Sequence, residues 1–141
     1  MKRLQSTDLA KLSHHKQILF ACFCAESVFH LVKEEHKEVC KRAIEVAYLS
    51  LEGKATKEEC RSVAADVAAV RVATTSTYHA TITSAYYAAY SAYVASSAYV
   101  AANAAAKALP STVKAQWEFY DQLLNGDRYF EEIVLEKVNE A

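Results

Sequence analysis

The sequence predicts an all-α fold: a single-domain bundle of six or seven helices with a long Ala/Tyr-rich antiparallel helix pair. The 141 residues include only two Gly and one Pro, which is too few turn-forming residues for the tight turns of a small β-sandwich or barrel. The chain is 52% hydrophobic and 23% charged, as is typical of a globular protein. A chain of this length is expected to form one domain with a sizeable buried core.

The predicted domain spans the whole chain and has four successive segments. They are an N-terminal segment at 1–13, core helices at 14–52, the Ala/Tyr-rich helix pair at 56–108 and acidic C-terminal helices at 111–141. Between Gly53 and Pro110 no other glycine or proline interrupts the chain. Long helices are therefore expected in that region.

Local signals predict three helices before residue 52. A short helix is expected over 9–12, and Ser13 is a candidate N-cap for a second helix that begins at His14. That helix contains the run 18–32, which is apolar on nearly every face and is therefore predicted to be the central buried helix. A third helix, over 35–51, has apolar residues on one face and charged residues on the other.

A helix stop followed by a helix start is predicted after residue 51. Gly53 can adopt the left-handed conformation that ends a helix. Thr56 and Glu59 have the spacing of a capping box, in which each side chain accepts a hydrogen bond from the other residue's backbone amide. We expect a helix over 57–73 and a second over 77–108, separated by a Thr/Ser-rich break whose hydroxyls compete for backbone hydrogen bonds.

Pro110 is expected to end that second helix, with Ser111 or Thr112 as the next N-cap. The following helix has an apolar stripe made of Val113, Trp117, Tyr120 and Leu124. A final helix is predicted over 128–138, after a stop at residues 125–127.

The Ala/Tyr-rich segment contains the first candidate partner-binding residues. Residues 72–106 contain no Asp, Glu, Lys or Arg, and their many alanines allow close helix packing. Tyr86, Tyr90 and Tyr93 follow one helical stripe, and Tyr99 lies further along. Two interpretations remain open: a core in which hydroxyls bond to one another, or an uncharged aromatic docking face for another protein or a second copy.

Charge distribution supplies the second set of candidates. The net charge of −1 gives no overall field that would attract nucleic acid or an anionic membrane. Residues 111–141, however, contain three basic and seven acidic residues. This acidic region would suit a basic partner, and its candidate binding residues are Glu118, Asp121, Glu131 and Glu132.

No motif in the sequence indicates catalysis, a cofactor or a metal. The spacing of the four cysteines fits neither a redox pair nor a zinc ribbon, so we expect buried, reduced thiols and a cytoplasmic protein. His36 and Cys40 share a helix face, but two ligands do not make a metal site. His30 is expected in the core, and His79 could hold a polar network. Neither apolar segment is predicted to span a membrane, because 18–32 is too short and 72–106 is too polar.

One arrangement of residues resembles a known family. The run CKRAIEVA at 40–47, the run LEGKAT at 51–56 and the alanine-rich helices that follow resemble the bacterial immunity proteins called immunity-protein-five-like. In that family an R-x-A-I-E-x-A helix, an L-x-G-K/E-x-T turn and an Ala-rich region occur in this order. The resemblance covers roughly residues 17–108. It implies an all-helical, non-enzymatic protein, found in bacteria, phages and other mobile elements, that neutralises a partner toxin by binding it.

Three hypotheses follow for function. The first is a cytoplasmic binding module that occludes a partner protein through its Tyr/Ala helix or its acidic C-terminal helices. The second is a structural protein that self-associates as a homo-oligomer through its chargeless helices. The third is a bundle with a small-molecule cavity in which His79 or His30 meets tyrosine hydroxyls.

Overall fold

Seven α-helices form the part of the chain that this computed structural model describes, namely residues 2–73, 79–94 and 97–126. Within these ranges there is no strand, which confirms the all-α class. The predicted break at 74–77 and the predicted helix over 128–138 lie outside the described residues. The helices are α1 Ser6–Leu9, α2 His14–Ser27, α3 Lys37–Leu51, α4 Lys57–Ala73, α5 His79–Tyr90, α6 Ser97–Ala108 and α7 Thr112–Asn125.

Helix α2 lies at the centre, as predicted, and packs against α3, α5, α6 and α7. Leu19 and Phe20 are fully buried, since nearly every face of this helix is apolar and has a neighbour. The ring of Phe23 stacks on Phe119 of α7 with 4.3 Å between ring centroids. Burial of large apolar side chains on several faces of one helix provides much of the driving force for folding.

The end of α2 differs from the prediction that one helix covers 18–32. α2 ends at Ser27, whose hydroxyl donates to the Cys24 carbonyl oxygen at 2.6 Å. Val28 then leaves the helical conformation, and 3₁₀ turns follow at Phe29–Leu31 and Glu34–His36. His30 is consequently exposed, so the expectation of a core histidine is wrong.

Capping explains where α1 and α2 begin. Ser13 is the N-cap of α2, as predicted, and its hydroxyl accepts from the Lys16 amide at 3.3 Å. The short helix expected over 9–12 lies instead at Ser6–Leu9. The reason is that Asp8 acts as the third helical residue and its carboxylate accepts from the Gln5 amide at 2.8 Å.

The turn between α3 and α4 agrees with the sequence signals. Gly53 has a φ of 69°, the left-handed conformation that a residue with a side chain adopts at a cost. The Glu59 amide donates to the Thr56 hydroxyl at 3.1 Å, and the Thr56 amide donates to the Glu59 carboxylate at 3.3 Å. This capping box starts α4 at Lys57.

The prediction of one helix over 77–108 is wrong, because α5 ends at Tyr90 and α6 begins at Ser97. The Ser91 hydroxyl donates to the Ala88 carbonyl oxygen at 2.6 Å. The Nε2 atom of His14 lies 2.8 Å from the Ser91 carbonyl oxygen. These two side chains pair with backbone carbonyls that would otherwise continue the helix, so the chain leaves the helix there without a Gly or Pro.

Helices α5 and α6 pack closely through small side chains. The buried alanines of α5 and α6 face each other and α2, and the Ser84 hydroxyl donates to the Ala101 carbonyl oxygen at 3.0 Å. Side chains of this size let two helix backbones approach closely. The buried alanines are Ala85, Ala88 and Ala89 on α5 and Ala98, Ala101, Ala102, Ala104, Ala105 and Ala106 on α6.

Helix α7 packs against the core and is hydrogen-bonded to the N-terminal segment. The Tyr120 hydroxyl donates to the Asp8 carbonyl oxygen at 2.8 Å, and the Trp117 indole donates to the Lys2 carbonyl oxygen at 2.7 Å. The predicted stripe is wrong at its last member, because Leu124 is 41% exposed and Leu123 is buried in its place. The buried face of α7 runs through Val113, Gln116, Phe119, Tyr120 and Leu123, and Leu124 lies outside it.

Candidate functional site

Four tyrosines and two arginines form one continuous surface group on α4 and α5. Arg61 and Arg71 lie on α4, Tyr86, Tyr87 and Tyr90 lie on α5, and Tyr93 lies three residues after the end of α5. We call these six residues the tyrosine–arginine cluster. The four tyrosine side chains are half-buried, and three of them, Tyr86, Tyr87 and Tyr93, pack against the hydrophobic core.

The rings of the cluster contact one another in sequence. Tyr86 and Tyr90 stack with their centroids 5.5 Å apart, and Tyr90 and Tyr93 are 4.5 Å apart at a tilt of 56°. Tyr87 meets Tyr86 edge to face at 4.8 Å. These separations lie in the range preferred by aromatic pairs, so each ring helps to fix the orientation of the next.

Each end of the tyrosine row carries a guanidinium group. The Arg71 guanidinium lies 4.5 Å from the Tyr86 ring centroid and 5.8 Å from that of Tyr87. The Arg61 guanidinium lies 5.1 Å from the Tyr93 centroid. A cation at this distance from an aromatic face is attracted by the electron density of the ring. The arginines are therefore positioned by rings and not by carboxylates.

The hydroxyls of the cluster remain open to solvent. Among the described residues, none of the four phenol groups donates to or accepts from another protein group, and no buried side-chain oxygen lacks a partner. It follows that these four hydroxyls reach water. Tyr48 and Tyr120 differ, because their hydroxyls donate to the Glu26 carboxylate and the Asp8 carbonyl oxygen.

Burial favours the protonated form of two hydroxyls in the cluster, those of Tyr86 and Tyr93. Burial of the ring raises the pKa of Tyr86 above its usual value and raises the pKa of Tyr93 to about 12. Arg71 and Arg61 act in the opposite direction on the pKa of these two residues and are outweighed. Near neutral pH the phenol groups of Tyr86 and Tyr93 are therefore uncharged and can both donate and accept hydrogen bonds.

The other predicted binding residues lie elsewhere. Tyr99 is half-buried on α6 and packs against the core. Glu118 and Asp121 are exposed on α7, which packs against α2 and α6. Lys114 lies 4.0 Å from the Glu118 carboxylate, so it offsets part of the negative charge on this helix. The remaining two candidates, Glu131 and Glu132, lie outside the described residues.

Sequence reasoning identified the tyrosine stripe but missed Tyr87, Arg61 and Arg71. The arginines belong to the cluster because α4 and α5 run in opposite directions. The end of α4, at Arg71, therefore meets the middle of α5, and Arg61, further back on α4, meets Tyr93 beyond the end of α5. The spacing of the two arginines along α4 was visible in the sequence. Placing them beside the tyrosines required knowledge that α4 pairs with α5.

The thiols and histidines form no comparable group. Cys22, Cys24, Cys40 and Cys60 are buried free thiols, and burial raises the pKa of each of them. No group of three metal-ligating side chains occurs within the described ranges. His36 lies 3.5 Å from the Glu35 carboxylate, and the backbone carbonyl of His79 accepts from Thr83.

No helix in the described part of the chain has the length and hydropathy needed to cross a bilayer.

Comparisons with known proteins place the chain in a family. No curated protein and no solved structure matches the sequence. A family model does match, over residues 7–124, which is most of the chain. The chain therefore belongs to the family described as Imm-5 like putative immunity proteins.

Proposed function

We propose that this chain is a non-enzymatic immunity protein that binds a toxin protein through the tyrosine–arginine cluster. By covering a surface that the toxin needs, the bound chain would neutralise it without changing it chemically. Membership of an immunity protein family supports the role, and the composition of the cluster supports the site. Tyrosine and arginine, with tryptophan, are the residue types most enriched among those that dominate binding energy at protein interfaces.

The open hydroxyls of the cluster are the observation that carries the proposal. Elsewhere in the described chain, Tyr48 and Tyr120 satisfy their hydroxyls internally. Tyr99 on α6 makes no such bond, but it lies apart from the other tyrosines. In the cluster, four neighbouring phenols and two guanidiniums make no hydrogen bond to another described protein group. A partner could bond to all of them at once while covering the half-buried rings.

The cluster is also ordered before a partner arrives. Each ring contacts another ring, and three of the four contact a guanidinium. Side chains that are already held lose little conformational entropy on binding, so more of the contact energy appears as affinity. This is the physical reason for preferring the cluster over long, solvated side chains on other helices.

The other predicted binding residues carry weaker support. Glu118 and Asp121 lie on α7, and Lys114 offsets part of the charge there. Self-association was the alternative role for the chargeless helices, but the alanines of α5 and α6 are used in packing within the chain. Tyr99, Glu118 and Asp121 stay predictions, as do the single-domain organisation and the cytoplasmic location that the reduced thiols favour.

A capture and growth experiment tests the proposal. The full chain and its Tyr90→Ala variant are used as baits in lysate of the source organism, after equal thermal melting has shown that both are folded. Proteins retained by the first bait and not by the second are expressed alone and together with the chain. We expect at least one to arrest growth alone, and co-expression of the chain but not of the variant to restore growth.

Variants on α7 provide the matched control. The double variant Glu118→Ala/Asp121→Ala should protect as well as the unchanged chain. Loss of protection in this variant, with Tyr90→Ala still protective, would move the site to α7. If the two baits retain the same proteins, the cluster is not the binding surface.

A further inference from the structure

We infer that the segment which docks on the tyrosine–arginine cluster is acidic: a stretch of the partner protein whose Asp or Glu carboxylates bind the guanidiniums of Arg61 and Arg71. This inference rests on the proposed function and specifies the chemistry of the partner. It runs opposite to the basic partner that the acidic C-terminal sequence suggested.

The first argument is that both guanidiniums lack a carboxylate. The ion pairs of the described residues join other side chains, on or near α3 and on α7. Arg61 and Arg71 take part in none of them and make no hydrogen bond within the described ranges. A guanidinium held over a ring keeps its N–H donors around its edge, and those donors match a carboxylate in geometry.

The second argument concerns the charges on α4 itself. At 3.6 residues per turn, Asp66 is rotated by about 140° from both Arg61 and Arg71. The one carboxylate between the two arginines therefore lies on the opposite side of the helix. Of the two acidic residues in the first turn of α4, Glu59 is engaged in the capping box with Thr56. Glu58 lies one turn before Arg61, but so does Lys57, which offsets its charge. The face that carries the cluster is thus cationic, and a basic segment would be repelled there.

The third argument is that the phenol groups support an anion. The hydroxyls of Tyr86 and Tyr93 are protonated near neutral pH, because burial holds the pKa of each above its usual value. A protonated phenol can donate to a carboxylate oxygen. Phenol and guanidinium donors therefore lie within one cluster, and its rings offer apolar contact to the residues between the carboxylates.

The spacing of the arginines restricts the partner further. Arg71 lies ten positions after Arg61, which is about 15 Å along the axis of α4. An extended segment spans this distance with four to five residues, and a helix spans it with about ten. We therefore expect two acidic positions at one of these spacings, with apolar residues between them.

Single-stranded nucleic acid is the other polyanion that arginine and tyrosine bind, and the geometry disfavours it. Such binding stacks bases on open aromatic faces. Here a guanidinium lies over the Tyr86 ring and another over the Tyr93 ring, and Tyr90 contacts both of these rings. Ring faces are therefore already occupied, whereas ring edges and N–H donors remain open.

Selection from a random peptide library tests the inference without knowledge of the partner. A displayed library of 12-residue peptides is selected on the full chain, and peptides that also bind Tyr90→Ala are removed. The remaining peptides are then measured against Arg61→Gln/Arg71→Gln, against Arg61→Lys/Arg71→Lys and against Arg42→Gln, whose exposed arginine on α3 is the control. Thermal melting checks that every variant is folded.

We expect the retained peptides to be enriched in Asp and Glu. The Gln double variant should weaken their binding about a hundredfold, or about tenfold for each charge-assisted pair. The Lys double variant should restore part of the affinity, since it keeps the charge but loses the paired donors. Arg42→Gln should bind as the unchanged chain does.

Each other result overturns the inference in a distinguishable way. Retained peptides that are neutral or basic, or that bind the Gln variant equally well, would refute the acidic partner and leave the docking surface intact. An absence of Tyr90-dependent peptides would refute the docking surface as well. A labelled dT12 strand that binds more tightly than the peptides, or a dimer in sedimentation that Tyr90→Ala dissociates, would assign the cluster to nucleic acid or to a second copy.

Discussion

The Nε2 atom of His14 lies 2.8 Å from the carbonyl oxygen of Ser91, 77 residues away in the sequence. His14 is the first residue of α2, and Ser91 directly follows α5. The contact therefore joins the start of the central helix to the point where α5 stops. Because the carbonyl oxygen can only accept, Nε2 carries the hydrogen.

Removing this imidazole should destabilise the fold. His14→Ala leaves the Ser91 carbonyl without its donor at a buried residue, and we expect a loss of about 1 kcal/mol in the free energy of unfolding. Urea unfolding followed by circular dichroism measures it. The neighbouring His15 is exposed, and His15→Ala should change stability by less than about 0.5 kcal/mol. Equal effects of the two substitutions would argue against the bond.

The hydroxyls of Tyr120 and Tyr90 should contribute differently to the stability of the fold. Tyr120→Phe removes a hydrogen bond to the Asp8 carbonyl oxygen and should cost about 1 kcal/mol of stability. Tyr90→Phe removes a hydroxyl that bonds to no described protein group, so stability should change by less than about 0.5 kcal/mol. Chemical denaturation compares the two. A large loss in Tyr90→Phe would show that its hydroxyl has an internal partner.

Stability should fall in alkali through Tyr93. Burial raises the pKa of Tyr93 to about 12 in the folded chain, against about 10 when it is unfolded. Between these values the unfolded state has released a proton that the folded state retains, so the free energy of unfolding decreases as pH rises. Below about pH 10 the contribution is constant.

The variant Tyr93→Phe keeps the ring and removes the titrating group. Its urea midpoint should therefore decline less steeply than that of the unchanged chain between about pH 10 and 12. The thiols titrate in the same region, and burial raises the pKa of Cys40 to about 11. The comparison therefore uses the difference in urea midpoint between the two proteins at each pH. Midpoints that decline in parallel would contradict the assignment of this pH dependence to Tyr93.

All four cysteines should be protected in the folded chain. Cys22, Cys24, Cys40 and Cys60 are fully buried, and burial raises the pKa of each thiol. Thiolate formation and access are both required for reaction with a disulfide reagent. Ellman's reagent should detect none of the four thiols in the native protein and all four in guanidinium chloride. Rapid native labelling of one thiol would show that it is accessible.

Local sequence signals predicted those helix ends that local chemistry determines. Gly53 and the Thr56–Glu59 capping box lie within seven residues of one another, and the start of α4 agrees with them. Ser13 likewise caps α2 as predicted. At each of these positions the hydrogen-bond partners lie within a few residues, so no knowledge of tertiary structure was needed.

Helix ends that depend on distant contacts could not be predicted in the same way. Where α5 ends, His14 contacts the carbonyl oxygen of Ser91, and no residue near Ser91 in the sequence indicates this contact. At the end of α7, packing selects Leu123 over Leu124, although both are leucine. In the candidate site, the tyrosine stripe was visible in the spacing, whereas the contribution of Arg71 required the pairing of α4 with α5.

Hydroxyl-radical footprinting of the complex is the most direct test of binding through the tyrosine–arginine cluster. The full chain is oxidised alone and with the toxin captured by the unchanged bait, and modified residues are located by mass spectrometry. Oxidation of Tyr86, Tyr90 and Tyr93 should fall in the complex, while that of Trp117 on α7 should not change. Protection of Trp117 with unchanged tyrosines would contradict the account.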